Sequence, residues 1–235
     1  MPNPDARLLL AMPRVAGHGR HRCQKYNPAM LSVVIQAGGG STRMGEDKAL
    51  KLFLKRPLIE RVVGRLQPVA DELLVTTNHP EAYGFLGLPL FSDVRPGRGA
   101  LGGLYTALVS ATHAAVAVVA CDLPFASAPL LVASAGVLFQ DCADVVVAET
   151  AHGLEPLHAV YRREVCVGPI ESAIEAGQWR MISWFSSVEV RKLHPDELDR
   201  YDPDGLAFRN VNTPEEFVEA EQLASELSEP GTARG

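Results

Sequence analysis

The sequence predicts an α/β fold of three layers with a mostly parallel sheet in the middle, and three observations carry that expectation. Leu31 to Ile35, apolar but for Ser32, and the unbroken Ala115 to Ala120 are apolar runs that suit strands buried on both faces of a covered sheet. Stretches with one apolar helical stripe separate the strands, as crossover helices do. Finally, the strand-like runs of the first half end in glycines or in Asn78, Asp93 and Asp122. Open parallel sheets bind their ligands at that edge.

Length and charge narrow the classes. A chain of 235 residues with 47% apolar content can bury one large core. The net charge of −6 argues against general affinity for nucleic acid or anionic membrane, though not against an anionic substrate. Lys48, Lys51, Lys55 and Arg56 gather beside a glycine-rich loop, where local field outweighs the sum. No stretch is long and apolar enough to span a bilayer, and Leu8 to Met12 is short for a signal-peptide core. The expectation is a soluble, cytoplasmic monomer. Cys23, Cys121, Cys142 and Cys166 show no Cys-x-x-Cys spacing, so reduced thiols are the economical reading.

The elements follow in order. Residues 1–29 lack periodicity and read as a disordered tail, with Met30 as a possible native start. One domain is expected over 30–224, with a nucleotide half at about 30–125 and an acceptor half at about 126–224; 225–235 form a second tail. After the strand at Leu31 comes a helix opened by Pro57, with Leu58, Val62, Val63 and Leu66 on its apolar face and Glu60, Arg61 and Arg65 opposite. Leu73 to Thr77 and Leu88 to Phe91 read as strands, Leu104 to Thr112 as a helix, and Ala115 to Ala120 as the most buried strand. The second half offers a helix at Pro129 to Phe139, strands at Asp144 to Ala148 and Glu155 to Tyr161, a helix at Val165 to Ala176, and a strand at Val188 to Leu193. A last helix starts with Thr213 as cap, Pro214 in its first position and Glu216 three residues after the cap.

The chemistry concentrates in Gln36-Ala37-Gly38-Gly39-Gly40-Ser41-Thr42-Arg43-Met44-Gly45-Glu46-Asp47-Lys48. Glycines without a Cβ let backbone N–H groups approach an anion closely. Arg43 adds a planar fork for phosphate oxygens and Lys48 a point charge on a flexible stem. This is no P-loop, because Glu46 and Asp47 follow Gly45 where Lys and Ser/Thr belong, nor a dinucleotide fingerprint, because Arg43 stands where its third glycine belongs. Transfer of a nucleotidyl group needs held phosphates, a divalent cation and an in-line nucleophile. Gly38, Gly39, Arg43 and Lys48 suit the phosphates, Asp122 suits Mg²⁺, and Asn78 and Asp93 suit a nucleobase. Asp122 and Asp93 also fit plain turn chemistry.

The motif Gly-Gly-Gly-x-x-Arg-Met-Gly-x-Asp-Lys resembles the signature loop of nucleotidyltransferases, and in particular of the molybdenum cofactor guanylyltransferase family. Asn78, Asp93, Leu101-Gly102-Gly103, Cys121-Asp122-Leu123-Pro124, Pro156-Leu157 and Asn212-Thr213-Pro214-Glu215-Glu216 follow in that family's order. The resemblance implies a Rossmann-like, glycosyltransferase-A-like sandwich. It implies transfer of GMP from GTP to the phosphate of molybdenum-molybdopterin, with Mg²⁺ at Asp122. It places GTP contacts at Gln36, Ala37, Gly38, Gly39, Lys48, Asn78, Asp93 and Asp122, and catalytic roles on Arg43, Lys48 and Asp122. It also places the pterin in the second half, and molybdoenzymes or maturation proteins downstream. Two departures stand out: Gln36 where many members carry Leu, and Ala100 where Pro often stands.

Arg180, Asn210 and Asn212 are candidate acceptor contacts, although a solvated Arg and turn or cap Asn residues account for them equally well. Trp179, Trp184 and Phe185 fit either a pterin stack or a core. Rival functions are the cytidylyltransferase counterpart, a transferase for another phosphorylated acceptor, and a non-catalytic GTP-binding protein.

Overall fold

The computed structural model describes residues 30–37 and 47–228. The expected tail 1–29 lies outside the described residues, as do residues 229–235 of the expected tail 225–235 and the loop 38–46 with Gly38, Gly39 and Arg43; residues 225–228 instead belong to the last helix. The first strand, β1 (Leu31–Gln36), is buried along its whole length. A single 3-10 turn (Lys48–Leu50) follows the loop and leads into a small antiparallel hairpin, β2 (Leu52–Phe53) with β3 (Arg56–Pro57). Then come α1 (Leu58–Leu66), β4 (Glu72–Thr76), α2 (Pro80–Tyr83), β5 (Leu90–Phe91), α3 (Gly99–Ser110) and β6 (Ala115–Ala120). The second half supplies α4 (Ala128–Gln140), β7 (Val145–Thr150), β8 (Gly153–Leu154), β9 (His158–Arg162), α5 (Arg163–Glu175), β10 (Val190–Leu193), α6 (Pro195–Leu198) and α7 (Pro214–Ser228).

The main sheet runs β10-β7-β9-β6-β1-β4-β5, with β8 paired to β7. Among these, β1 pairs in parallel with both β4 and β6, and β4 with β5. β9 runs antiparallel to β6 and to β7, so the sheet is mostly parallel, as expected. Strand alternation divides the core. Val33 and Ile35 pack with Ile59, Val62 and Leu66 of α1 and Leu130 and Leu131 of α4. Val34, Val116 and Val118 face Leu101, Leu104 and Leu108 of α3 and Cys166 and Ile170 of α5. A third cluster joins Phe53 and Leu58 to Phe125, Val211 and Phe217 of α7. Trp184, 2% exposed, fills the core beside Tyr161 and Phe185, which removes it from any ligand stack.

Several expectations need correction. Pro57 caps α1 rather than opening it, because it closes the β2–β3 hairpin. Arg61 and Arg65, on the polar face of α1 as expected, also reach back to the chain: Arg61 Nε donates to Pro124 O (2.9 Å) and Arg65 Nε to Ala126 O (2.8 Å), pinning the loop after β6. Helix α3 starts at Gly99, inside the second glycine-rich stretch rather than after it. Lys51 lies over the Phe217 ring of α7 at 4.2 Å, and the glycine loop it was expected to border lies outside the described residues. Cys121 and Cys166 are free thiols, but Cys142, in the turn after α4 with φ of 54°, is disulfide-bonded, against the expectation of reduced cysteines throughout.

The β2–β3 turn carries strain. Phe53 pairs with Arg56, leaving Leu54 and Lys55 as a two-residue turn at φ of 48° and 70°, the positive values of a type I′ hairpin. Side chains with a Cβ lose about 1 kcal/mol or more each in that region. Replacing the pair by Asn-Gly (Leu54→Asn with Lys55→Gly) is expected to raise stability by about 1–2 kcal/mol. A urea titration of both proteins measures it, and an unchanged midpoint would refute the strain.

His158 on β9 is 3% exposed, and its Nε2 accepts from Ser127 N–H (3.0 Å) while Nδ1 has no partner. Burial pushes the imidazole down to about 4 from an ordinary 6.5. A depressed imidazole keeps its stabilising neutral form above the unfolded-state value. Stability is therefore complete above about pH 6.5, falls as pH drops toward 4, and by then has lost on the order of 3 kcal/mol. Thermal melts between pH 7 and 4.5 should show this slope, and His158→Gln should flatten it.

Candidate active site

Register puts the strand ends at one level. Gln36 is the partner of both Thr76 and Ala120, and Thr76 is the partner of Phe91. Two residues beyond that row, on three of the strands, stand Asn78, Asp93 and Asp122. The carboxyl edge of the parallel strands thus gathers the polar groups that the sequence singled out.

Ala37 N–H donates to Thr76 O (2.8 Å) and Cys121 N–H to Gln36 O (3.2 Å), so the ladder continues one residue past β1 before the glycine loop. The Gln36 side chain is 6% exposed and its Nε2 donates to Ala100 O (3.1 Å) at the start of α3. Asn78 and Asp93 clasp each other: Asn78 Nδ2 donates to Asp93 Oδ2 (2.9 Å) and Asp93 N–H to Asn78 Oδ1 (3.2 Å). Asn78 therefore orients Asp93, whose second carboxylate oxygen is left for another donor. The stretch after Asp93 is tied to α3, where Val94 N–H donates to Thr106 Oγ1 (3.0 Å).

Lys48 sits between the two halves of the chain. Its Nζ donates to Asn212 Oδ1 (2.8 Å), and the next link is backbone, Val211 N–H donating to Asp122 O (3.1 Å). The Asp122 carboxyl is pushed up by burial, and the Lys48 ammonium partly offsets this. Burial likewise pushes the Cys121 thiol up, with the Asp122 and Asp47 carboxylates reinforcing it, so that thiol stays protonated and unreactive.

Both sides of Lys48 are braced. Asp47 caps its turn, Oδ1 accepting from Ala49 N–H (3.1 Å), while Tyr83 O–H donates to Asp47 Oδ2 (2.5 Å) from α2. On the other side the predicted capping box is present: Glu216 N–H donates to Thr213 Oγ1 (3.1 Å), and Glu216 Oε2 accepts from the N–H groups of Asn212 (2.7 Å) and Thr213 (3.1 Å). Those two backbone donors hold the Glu216 carboxyl below its usual range. Asn212 is thereby locked in the cap of α7 with its side chain free to meet Lys48.

Arg180 and Asn210 are exposed, and neither is brought to Lys48 or Asp122 by a hydrogen bond. Trp179, 50% exposed, lies under the Arg98 guanidinium at 4.8 Å. Tyr83 is the group that sequence reading missed. Only the helical position of a lone Tyr after Pro80 marks it, and nothing in that spacing points to Asp47.

One metal-ligand set was expected. Among the described residues no group of three or more His, Cys, Asp or Glu side chains converges. A cation that keeps waters and takes substrate phosphates needs only one or two carboxylates from the protein. Asp122, half-buried with Lys48 as its counter-charge, fits that requirement.

Comparison with known proteins supplies the rest. The MobA-like NTP transferase domain matches residues 33–190. The chain belongs to that family. The molybdenum cofactor guanylyltransferase of Desulfosudis oleivorans is 35% identical over 189 residues, covering 80% of this chain and 93% of its own. A probable molybdenum cofactor guanylyltransferase of Pelotomaculum thermopropionicum is 36% identical over 193 residues, covering 81% and 92%. In structure, the molybdopterin-guanine dinucleotide biosynthesis protein A of Archaeoglobus fulgidus superposes with a TM-score of 0.73 at 23% identity, over 83% of this chain and 99% of that one. That likeness shows the nucleotidyltransferase sandwich. Within the described MobA-like chain, no helix is long and apolar enough to cross a membrane.

The Tyr83–Asp47 bond is open to direct test. Tyr83 is buried but Asp47 is exposed, so this donor on a carboxylate contributes about 1 kcal/mol. Tyr83→Phe should lose stability of that order in a urea titration, whereas a loss under 0.5 kcal/mol would show that Asp47 holds its turn unaided.

Proposed function

We propose that this chain is a nucleotidyltransferase that moves GMP from GTP to the phosphate of molybdenum-molybdopterin, giving the guanine dinucleotide cofactor and pyrophosphate. The observation that carries the reading is the meeting of Lys48, Asp122 and Asn212. The nucleotide half and the acceptor half contribute to one point, where Lys48 Nζ bonds Asn212 Oδ1 and its charge faces Asp122.

An oxygen of the acceptor phosphate forms the new bond to the α-phosphorus of GTP, and the bond from that phosphorus to the β-phosphate bridge breaks. The electron pair leaves with pyrophosphate. Lys48, with the glycine loop and Arg43, binds the β- and γ-phosphates and neutralises the charge that grows on the leaving group. The acceptor attacks as an existing anion, so no general base is required. Asp122 would hold Mg²⁺, which when bound neutralises the α-phosphate and so admits an anionic nucleophile. Asp93, aimed by Asn78, accepts from guanine N1–H and the exocyclic amine, donors that cytosine lacks in that arrangement. Asn212 and Arg180 face the acceptor. Asn212 reaches the transfer point from the α7 cap, and Arg180 offers an exposed cation to a phosphate.

Pyrophosphate release tests the reading, with GTP and CTP in parallel, Mg²⁺ present, and molybdenum-loaded pterin phosphate added or withheld. Release with GTP only in the presence of the pterin is the expected result. Release with CTP alone would shift the base, and release with neither would shift the acceptor. Asp122→Asn should lower kcat by roughly 10²–10³-fold, the scale of losing a preorganised electrostatic contact. Lys48→Ala should raise the KM for GTP about tenfold or more, as removal of a phosphate contact does. Turnover near wild type in Asp122→Asn would remove the metal assignment.

A further inference from the structure

The two sequence departures, Gln36 and Ala100, are bonded to each other. Gln36 closes β1, and its side chain runs across the start of α3 to the carbonyl of Ala100. Gly103, one turn further along α3, lies directly beneath it: a Cβ built on Gly103 would collide with the Gln36 side chain. The amide is thus clamped between strand and helix with only its nitrogen satisfied. Among the described residues Gln36 Oε1 is buried with no partner, and so is Thr76 Oγ1 on the paired residue of β4. An apolar side chain of the same length would fill this place without burying an unpaired acceptor, so the Gln lowers stability where it sits.

We infer that Gln36 is a positioning residue for the nucleotide, acting through the first turn of α3. This rests on the proposed function, because the turn it fixes borders the strand ends assigned to GTP. The segment before α3 is held mainly from the helix side. Gly97 and Gly99 have φ of 74° and 58°, and Arg98 between them has no side-chain cap bond to the helix. Val94 N–H donates to Thr106 Oγ1, Arg95 pairs with Glu171 of α5, and the Arg98 guanidinium lies over Trp179. Leu101 and Leu104 pack with Val34 across the layer, and the Gln36 bond is the hydrogen bond that joins the end of β1 to the first turn of α3. It sets how far the N-terminal turn of α3 stands from Asp93 and from the end of β1, and so fixes the width of the base and ribose side of the site.

The test is Gln36→Met, which keeps an unbranched stem over Gly103 and deletes both amide atoms. The expected result is a GTP KM raised at least fivefold with kcat within twofold, and a thermal midpoint equal to or above that of the parent chain. A merely structural Gln would do the reverse. Hydrogen exchange at the amides of residues 99–103 should accelerate in the same variant. Adding Ala100→Pro supplies a fixed φ at the second helical position, where no N–H is needed, and should return both KM and exchange to within twofold of the parent. A KM unchanged in Gln36→Met overturns the inference, and so does a KM that stays high once exchange has been restored. If the parent chain turns over no GTP at all, the functional reading fails. The exchange arm still decides the tie between β1 and α3, since equal rates in parent and variant would overturn it.

Discussion

Parallel pairing of β1 with β4 and β6 is the constraint on which the rest depends. Both β1 and β6 are buried on two faces, so each must be covered by helices on either side, and right-handed crossovers then keep β4, β5 and β6 in the direction of β1. The register makes Ala120, Gln36, Thr76 and Phe91 one row. Chains leaving that row must turn, and turning exposes backbone and short polar side chains at a single edge. Asp122, Asn78 and Asp93 are near neighbours for this reason, although 44 positions separate the first of them in sequence from the last.

Gathering polar groups is insufficient for phosphate chemistry, because each must hold its direction without help from the ligand. Lys48 stands on a 3-10 turn of three residues, too short to be rigid by itself. Its fixity is imported. Asp47 caps the turn, buried Tyr83 holds Asp47, and Asn212 receives the ammonium from an α7 cap that spends Glu216 on two backbone donors. Asp93 shows the same design on a smaller scale, with one Asn amide engaged through both its donor and its acceptor. These supports place the cost of orienting charged groups in the folded chain, where it is met before the substrate arrives.

Much of this was legible in the residues, and what was not has physical reasons. Unbroken runs such as Ala115 to Ala120 mark central strands because no half-exposed strand tolerates them, and the Thr213-Pro214-x-Glu216 start is local enough to be read from spacing alone. The β2–β3 hairpin was hidden because its turn uses Leu54 and Lys55 where Asn-Gly would announce a positive φ. Arg61 and Arg65 read correctly as the polar face of α1, but helical periodicity is blind to the carbonyls they bond in a loop more than 55 positions away. Tyr83 was invisible for the same cause: its partner is chosen by how α2 docks, a tertiary fact. Trp184 went to the core because Tyr161 and Phe185 offer edge and face contacts that a solvated ring forgoes.

The bond from Lys48 to Asn212 spans 164 positions and joins the turn after β1 to the cap of α7. Helix α7 packs Phe217 against Phe53 of the hairpin that follows Lys48, with ring centroids 5.4 Å apart. The C-terminal helix is therefore docked on the same short segment that carries the ammonium. A triphosphate that draws Lys48 toward itself must compete with Asn212, and an acceptor that engages Asn212 releases Lys48. By linkage the two substrates then assist one another, since each weakens a contact that opposes the other. Transfer demands that both be present at one phosphorus, and a shared bond between their contact groups is a direct way to favour that ternary state.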